Sequence, residues 1–392
     1  IGNNFELGAN ASEILNLKDY IYDLAITANR PDGMSVIGIA REISALLETN
    51  LEIPTINKDL IFNFNNLDNN ELCKDTITSD CIYTITPINN VNGNQSSPDW
   101  IRDRLEKSDI KSINLIVDIT NYILLEQGQP MHAFDKDKLS KLIGKEVLTT
   151  DFGIRKGVNN EEFIALDGNI YKLNQNITLI TCADIPIAIA GIIGGEETAV
   201  TDKTKNIYLE AAVFNPSTIR KSSKEIGIRT ESSSRFEKGI SSKNTVNSVK
   251  RAVSLLNDYF NIERVNIYTK NNSEMNDKVI KLRRKRIHKI LGPINTLDNK
   301  FDTLNSNNNL SKRYLKDSEI VDKLRLIGCN LIERDFGWDV SVIPNRSQDL
   351  IREIDLIEEI ARLIGYDFFD QNIPNPIKPG ILNPTQKALR KL

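Results

Sequence analysis

The chain is short of the side chains that most often announce chemistry: its 392 residues include four cysteines, two histidines, three methionines and two tryptophans. Cys73, Cys81, Cys182 and Cys329 show no Cys-x-x-Cys spacing, and His132 and His288 are the whole histidine supply. A zinc site of the usual Cys/His kind is excluded, and a reducing compartment fits. No apolar run approaches the roughly eighteen residues of a membrane span. The richest, Ile185 to Ile193, is broken by Gly194 and Gly195. There is no Gly-x-x-x-x-Gly-Lys-[Ser/Thr] phosphate loop, which argues against a magnesium-dependent phosphotransferase. Net charge is -3, so any contact with nucleic acid must come from a local basic patch such as Lys281–Lys289 (KLRRKRIHK). That patch reads equally well as RNA contact and as a solvated cationic start of a helix.

What is present is a chain long enough for two or three domains, each with its own core. Asn-rich stretches at 57–70 and 305–309, with abundant Ile and Lys, are the composition an AT-rich genome produces, pointing to a plastid or an AT-rich bacterium. The first residue is Ile1, no secretory or transit pattern opens the chain, and NPTQKALRKL reads like the opening of a helix cut short. A fragment is therefore expected.

Patterning predicts an α+β, multi-domain fold. Val36, Ile37, Ile39, Ala40, Ile43, Leu46 and Leu47 mark an amphipathic helix after the turn TANRPD, where Asn29, Arg30 and Pro31 are read as structural. Trp100, Ile101 and Leu105 give a short helix, and Ile113–Ile119 a buried strand or the start of a helix. Between Lys145 and Leu209, short apolar segments punctuated by Asp167-Gly168 and Gly194-Gly195 suit a β-rich layer, and helices return at Ser241–Phe260. A smaller α+β unit follows from about Asp277, with a helix over Ser318–Ile327 and a strand in GWDVSVIP. No internal repeat is apparent.

Two segments carry candidate chemistry. In PNRSQDLIREIDLIEEIARLIGYD, from Pro344, residues Asp355, Glu358, Glu359 and Arg362 share one helix face, while Leu356, Ile357, Ile360, Leu363 and Ile364 fill the other. With Asp349 folded back from the preceding turn, up to four oxygen donors could meet a divalent cation; a solvated face with weak ion pairs is the alternative. In GQPMHAFD, Gly128 to Asp135, one of the two histidines follows a turn-forming Gln-Pro.

Both segments resemble the beta subunit of bacterial-type phenylalanyl-tRNA synthetase. That family carries Gly-Gln-Pro-Met-His-Ala-Phe-Asp in its B3/B4 region. Leu-Asp-Gly, Ala-Gly-x-x-Gly-Gly, Leu-Glu-x-Ala-x-Phe and Thr-Glu-Ala-Ser-His-Arg-Phe-Glu-Arg-Gly follow in that order. Here they stand as LDG at Leu166, AGIIGG at Ala190, LEAAVF at Leu209 and TESSSRFEKG at Thr230. Its B5 region ends in Pro-x-x-Arg-x-Asp and Asp-Leu-Ile-Glu-Glu-Ile-Ala-Arg-x-x-Gly-Tyr.

The resemblance implies a B1-like end with an amphipathic helix over 1–82, a B3/B4 editing-like domain over 83–262, a B5 domain over 275–370, and the start of a truncated catalytic-like domain over 371–392. It implies ATP-dependent attachment of phenylalanine to tRNA(Phe) by an alpha2-beta2 complex, with adenylation on the alpha subunit. It also implies hydrolysis of mischarged tyrosyl-tRNA(Phe) in B3/B4, in bacterial cytoplasm or plastid stroma. Carried over residue by residue, His132 would lie near the ester and Glu210 would read the phenolic hydroxyl. Lys111, Gly191, Gly194, Thr230 and Ser232 would contact substrate, and Asp349, Asp355, Glu358 and Glu359 would hold Mg2+. Three positions depart from the pattern: Lys111 replaces an arginine, Ser232 an alanine, and Ser234 the histidine of Ser-His-Arg-Phe. Arg235 and Glu237 read as a structural ion pair. A free-standing editing hydrolase and a non-enzymatic nucleic-acid-binding or scaffold module are the alternatives.

Overall fold

A computed structural model describes residues 19–67, 82–271, 279–296, 311–370 and 382–391, with residues 10 and 12. Cys73, Cys81 and the Asn305–Asn309 run lie outside the described residues. The chain is α+β and divides into two compact units, Ile1–Lys278 with Val342–Ile351, and Val279–Ser341 with Arg352–Leu392. Among the described residues, no helix is long and apolar enough to cross a membrane.

The first unit is built on a five-stranded sheet of β1 (Ile61–Asn66), β2 (Ile82–Ile88), β3 (Met131–Asp135), β10 (Ile207–Val213) and β11 (Arg264–Asn271), strands being numbered in chain order. Their order is β1-β11-β2-β10-β3. Only β1 and β11 pair in parallel.

Side chains alternate across a strand, and β10 shows the consequence. Ile207, Leu209 and Ala211 enter one core with Ala133 of β3, Ile101 and Leu105 of the Asp99–Glu106 helix, Ile119 and Ile123 of the Leu115–Gln127 helix, and Val249 and Val253 of the Ser242–Asn257 helix. Tyr208 and Ala212, with Phe134, enter a second core on the opposite face. A four-stranded sheet covers that face, ordered β4 (Phe152–Lys156), β7 (Thr178–Cys182), β8 (Ile185–Ile189), β9 (Ile193–Gly194). The hairpin of β5 (Glu162–Ile164) and β6 (Ile170–Lys172) turns at Asp167-Gly168 and adds Phe163 to the same core.

The ambiguous Ile113–Ile119 segment is the start of a helix: Val117 N donates to Asn114 Oδ1 at 3.0 Å, and Gly128, at φ 74°, ends the helix. Among the helices unread in the sequence are Pro216–Ile226 and Glu231–Lys238. Asn215 and Thr230 cap them, and Ile219 and Phe236 dock them into the second core.

Two turns in this unit share an Asn-Arg start and an Asp end, Asn29–Asp32 and Asn345–Asp349, a short repeat that the sequence reading does not register. Each arginine grips the aspartate of its own turn: Arg30 Nε and Nη2 donate to Asp32 at 2.9 Å, and Arg346 Nη2 donates to Asp349 at 2.7 Å. Each also faces the other's aspartate, Arg30–Asp349 at 3.8 Å and Arg346–Asp32 at 3.9 Å. Glu42, from the Val36–Leu47 helix, accepts from Arg30 at 2.6 Å and from Arg346 at 3.2 Å.

The second unit holds the antiparallel sheet β12-β16-β15, formed by β12 (Val279–Arg283), β15 (Asn330–Arg334) and β16 (Gly337–Ser341). A two-stranded pair joins β13 (Ile294–Thr296) to β14 (Ser311–Arg313). Helices Arg284–Leu291, Asp317–Leu326 and Glu353–Ile364 bury Ile287, Ile320, Leu324, Leu356 and Ile360. The last of them segregates its apolar face as the spacing predicts.

Candidate functional site

On the face of β10 that carries Tyr208 and Ala212, apolar residues are expected throughout, yet Glu210 stands between them. Its register partner on β3 is His132, which follows the same logic: Ala133 faces one core, and His132 and Phe134 face the other. Directly opposed residues on neighbouring antiparallel strands hold their Cβ atoms about 5 Å apart. The two titratable groups thus enter one cavity of about 70 Å³ side by side. Gly191, Gly194, Phe214, Ser232 and Phe236 complete the wall.

Both side chains leave a polar atom without a partner. Glu210 Oε1 and His132 Nε2 are out of contact with water and accept or donate no hydrogen bond. Burial pushes the Glu210 carboxyl up to about 8 and the His132 imidazole down to about 4. Both groups are therefore neutral at pH 7: the carboxylic acid has an O–H to donate, and the imidazole has one nitrogen free to accept. Leaving such atoms open costs stability, and buried polar groups are otherwise almost always paired. A ligand that closes both valences is the simplest reason to keep them.

The backbone places the imidazole. A Cβ on Gly194 would come within 2.5 Å of His132 Cε1, so only hydrogen leaves space for the ring there, and Phe134 meets the ring edge-on at 4.6 Å between centroids. Gly191, at φ 69°, turns the β8–β9 loop in the left-handed region beside Phe236 and Ile219. Thr230 Oγ1 donates to Ile192 O of that loop at 3.1 Å while accepting from Ser233 N, which ties the Glu231–Lys238 helix to the wall. Gly194→Ala is expected to displace the imidazole and destabilise by about 1–3 kcal/mol, the usual penalty of overpacking. Thermal unfolding and the His132 ring NMR signals check it; an unmoved ring with unchanged stability contradicts it.

The structure brings together His132, Glu210, Gly191, Gly194 and Ser232, and sets Thr230 behind the wall. Lys111 is exposed and not among the cavity residues. Arg235 is buried and pairs with Glu231 at 2.5 Å rather than with Glu237. The aromatic walls Phe214 and Phe236 were missed in the sequence, as was Tyr83. Tyr83 is a fully buried phenol in the same core whose hydroxyl has no partner and whose pKa is raised by burial first and by Glu210 second. A glutamate inside an otherwise continuously apolar strand was the available signal.

The four expected metal ligands are divided between the two units. Asp349 lies in the first unit and is held by Arg346, while Asp355, Glu358 and Glu359 lie in the second. Asp355 accepts from Arg352 N at 2.7 Å and pairs with the Arg352 guanidinium; Glu359 is buried and pairs with Arg362 at 2.6 Å; Glu358 is exposed. A hard cation needs several oxygens converging at about 2.0–2.6 Å. Among the described residues, no group of three or more His, Cys, Asp or Glu side chains could hold one. In the basic Lys281–Lys289 patch three of the six Lys and Arg side chains are paired, with Arg283 and Arg286 on Glu353 and Arg284 on Asp317.

Comparison with known proteins places this geometry. The family model described as B3/4 domain matches residues 81–261, and the one described as tRNA synthetase B5 domain matches residues 280–366. The phenylalanine–tRNA ligase beta subunit of Prochlorococcus marinus (strain MIT 9312) is 63% identical over 99% of this chain and 46% of its own length. That of Synechococcus sp. (strain CC9605) is 40% identical over 98% and 45%. The chain belongs to the phenylalanine–tRNA ligase beta-subunit family. It spans about half the length of these relatives. A solved N-terminal fragment of the phenylalanyl-tRNA synthetase beta-subunit from Pyrococcus horikoshii aligns with 87% of the chain and 86% of the fragment, at 15% identity and a TM-score of 0.43. That likeness is too distant to add to the assignment. The cavity lies within the B3/4 match, on strands β3 and β10.

Proposed function

We propose that this chain is the central part of a phenylalanine–tRNA ligase beta subunit and that its B3/4 cavity hydrolyses tyrosyl-tRNA(Phe). The observation that carries the reading is the buried, uncharged Glu210 with an open valence in an otherwise apolar slot. A pocket shaped for phenylalanine rejects tyrosine only about a hundredfold, because tyrosine merely adds a hydroxyl. A site that hydrogen-bonds that hydroxyl discriminates by about ten-thousandfold or more. Glu210 suits the second kind of site.

Attack falls to a positioned water. Cys182 is buried with its thiol pushed up to about 12, and Ser232, on the cavity wall, has no hydrogen bond to a base among the described residues, so neither serves as an activated nucleophile. The complete ligase carries out ATP-dependent phenylalanylation with adenylation on an alpha partner in an alpha2-beta2 assembly, in bacterial cytoplasm or plastid stroma. The domain division 1–82, 83–262, 275–370 and 371–392 belongs to the same reading. Magnesium would serve that assembly through ATP, and no step here runs through it.

The test is the full-length beta subunit co-expressed with its alpha partner. Glu210→Ala is expected to lower tyrosyl-tRNA(Phe) deacylation at least tenfold while phenylalanylation stays unchanged. Deacylation that survives the substitution removes the B3/4 cavity from proofreading.

A further inference from the structure

We infer that the exposed face of the Pro216–Ile226 helix is a docking surface for RNA. Arg220, Lys221 and Lys224 on that face, with Lys156 beside it and Arg229 just past the helix end, hold phosphates of the strand whose aminoacyl end enters the B3/4 cavity. This rests on the proofreading reading above and names the surface that grips its substrate.

Helical spacing separates charge from core. At 100° per residue, Arg220, Lys221 and Lys224 fall within an arc of about 100°, while Ile219, Ser222 and Ser223 are buried on the other side. Arg220, Lys221, Lys224 and Arg229 are all exposed, and among the described residues none of the four pairs with a carboxylate. The acids closest in sequence are engaged elsewhere: Glu225 accepts from Asn174 Nδ2 at 2.8 Å, and Glu231 pairs with Arg235. Lys156, whose Nζ donates to Thr178 Oγ1 at 2.8 Å, lies close enough to Lys221 for the two cations to repel. Its pKa is lowered by burial first and by Lys221 second. A chain of net charge -3 draws no polyanion as a whole, so a cluster of cations without counter-charges marks where one would settle. The Lys281–Lys289 patch differs in having half of its cations already paired.

The helix also backs onto the cavity wall. A Cβ on Gly191 would lie 3.0 Å from Ile219 Cδ1, and Gly191 lines the cavity. Arg229 directly precedes Thr230, which caps the Glu231–Lys238 helix and donates to Ile192 O, and Ser232 of that helix is on the wall. A helix with its side chains is about 10–12 Å across, so phosphates on the outer face lie one helix diameter from the wall. An aminoacyl ester stands at the end of an RNA strand, and a substrate that reaches this cavity brings its phosphates with it. An acidic protein would meet the same charges but carries no ester to the cavity.

The test uses the complete ligase. In the triple variant Arg220→Gln, Lys221→Gln, Lys224→Gln, KM for tyrosyl-tRNA(Phe) hydrolysis is expected to rise at least tenfold with kcat held. The slope of log(kcat/KM) against log[salt] is expected to flatten by about two to three, the loss of three phosphate contacts. The charge-keeping variant Arg220→Lys, Lys221→Arg, Lys224→Arg is expected to retain the wild-type KM, which separates charge from folding. Wild-type KM and salt slope in the glutamine variant, or an equal loss in both variants, overturn the surface and leave proofreading intact. A wild-type ligase that does not hydrolyse tyrosyl-tRNA(Phe) overturns the function instead. The surface is then judged by photocrosslinking uncharged tRNA(Phe) that carries thiouridine near its 3′ end: adducts on the Pro216–Ile226 helix sustain it, and their absence overturns it.

Discussion

Truncating Arg346 to alanine is expected to lower the stability of the first unit by about 3–5 kcal/mol, the range for removing one partner of a buried ion pair. The arginine side chain is 1% exposed, as is that of Asp32, and Asp349 is 7% exposed. Without the guanidinium, Asp349 keeps Arg30, at 3.8 Å, and Glu42 loses its donor at 3.2 Å while keeping Arg30 at 2.6 Å. Burial already pushes the Asp349 carboxyl up from its ordinary range against the pull of Arg346, so this anion is poorly placed to stand alone. Arg41, whose Nη1 is out of water without a partner and which interacts with Asp32 and Glu42, leaves a further cation in the cluster and sets the loss toward the lower end. Urea unfolding reads the effect. In the double variant Arg346→Met with Asp349→Leu, the loss is expected to be smaller than in Arg346→Ala, because no uncompensated charge stays buried. A loss below about 1 kcal/mol for the single variant would mean that the five-charge cluster is solvated and weak.

That cluster also marks where sequence reasoning stopped. Val36–Leu47 and Glu353–Ile364 were legible because a helix buries one face and leaves a periodic trace. The strands around β7 and β8 were legible as short apolar runs between turn residues, β7 being buried along its whole length. The helix at Glu231–Lys238 was not, since three consecutive serines have modest helix propensity and the segment is held by the Thr230 cap and by Phe236 in the core. Charges leave no trace at all: Asp349 was expected to fold back toward Asp355, yet Arg346, three residues before it on the same turn, is already within reach. His132 and Glu210 were each singled out from family motifs far apart in the chain. Their opposition in register is a property of the sheet order, which puts β10 beside β3, and no local pattern encodes it.

Glu210→Gln is expected to stabilise the protein increasingly as pH rises, by about 3.5 kcal/mol between pH 5 and pH 8 relative to wild type. The carboxyl titrates at 4.5 in its ordinary setting and at about 8 in the folded chain. Between those values the unfolded chain has released the proton and the folded chain still holds it, so wild-type stability falls by about 1.4 kcal/mol per pH unit across that window. His132 works the other way: its imidazole drops from 6.5 to about 4 on folding, so its contribution is lost as pH falls through that interval. The two slopes oppose each other between 4.5 and 6.5, and the comparison with glutamine isolates the carboxyl because His132 is common to both proteins. Tyr83 is the other titratable group beside Glu210, and its raised pKa keeps it protonated throughout. Urea unfolding of both proteins at pH 5 and pH 8 measures the difference, and a difference that does not change with pH would show an ionised, solvated carboxylate.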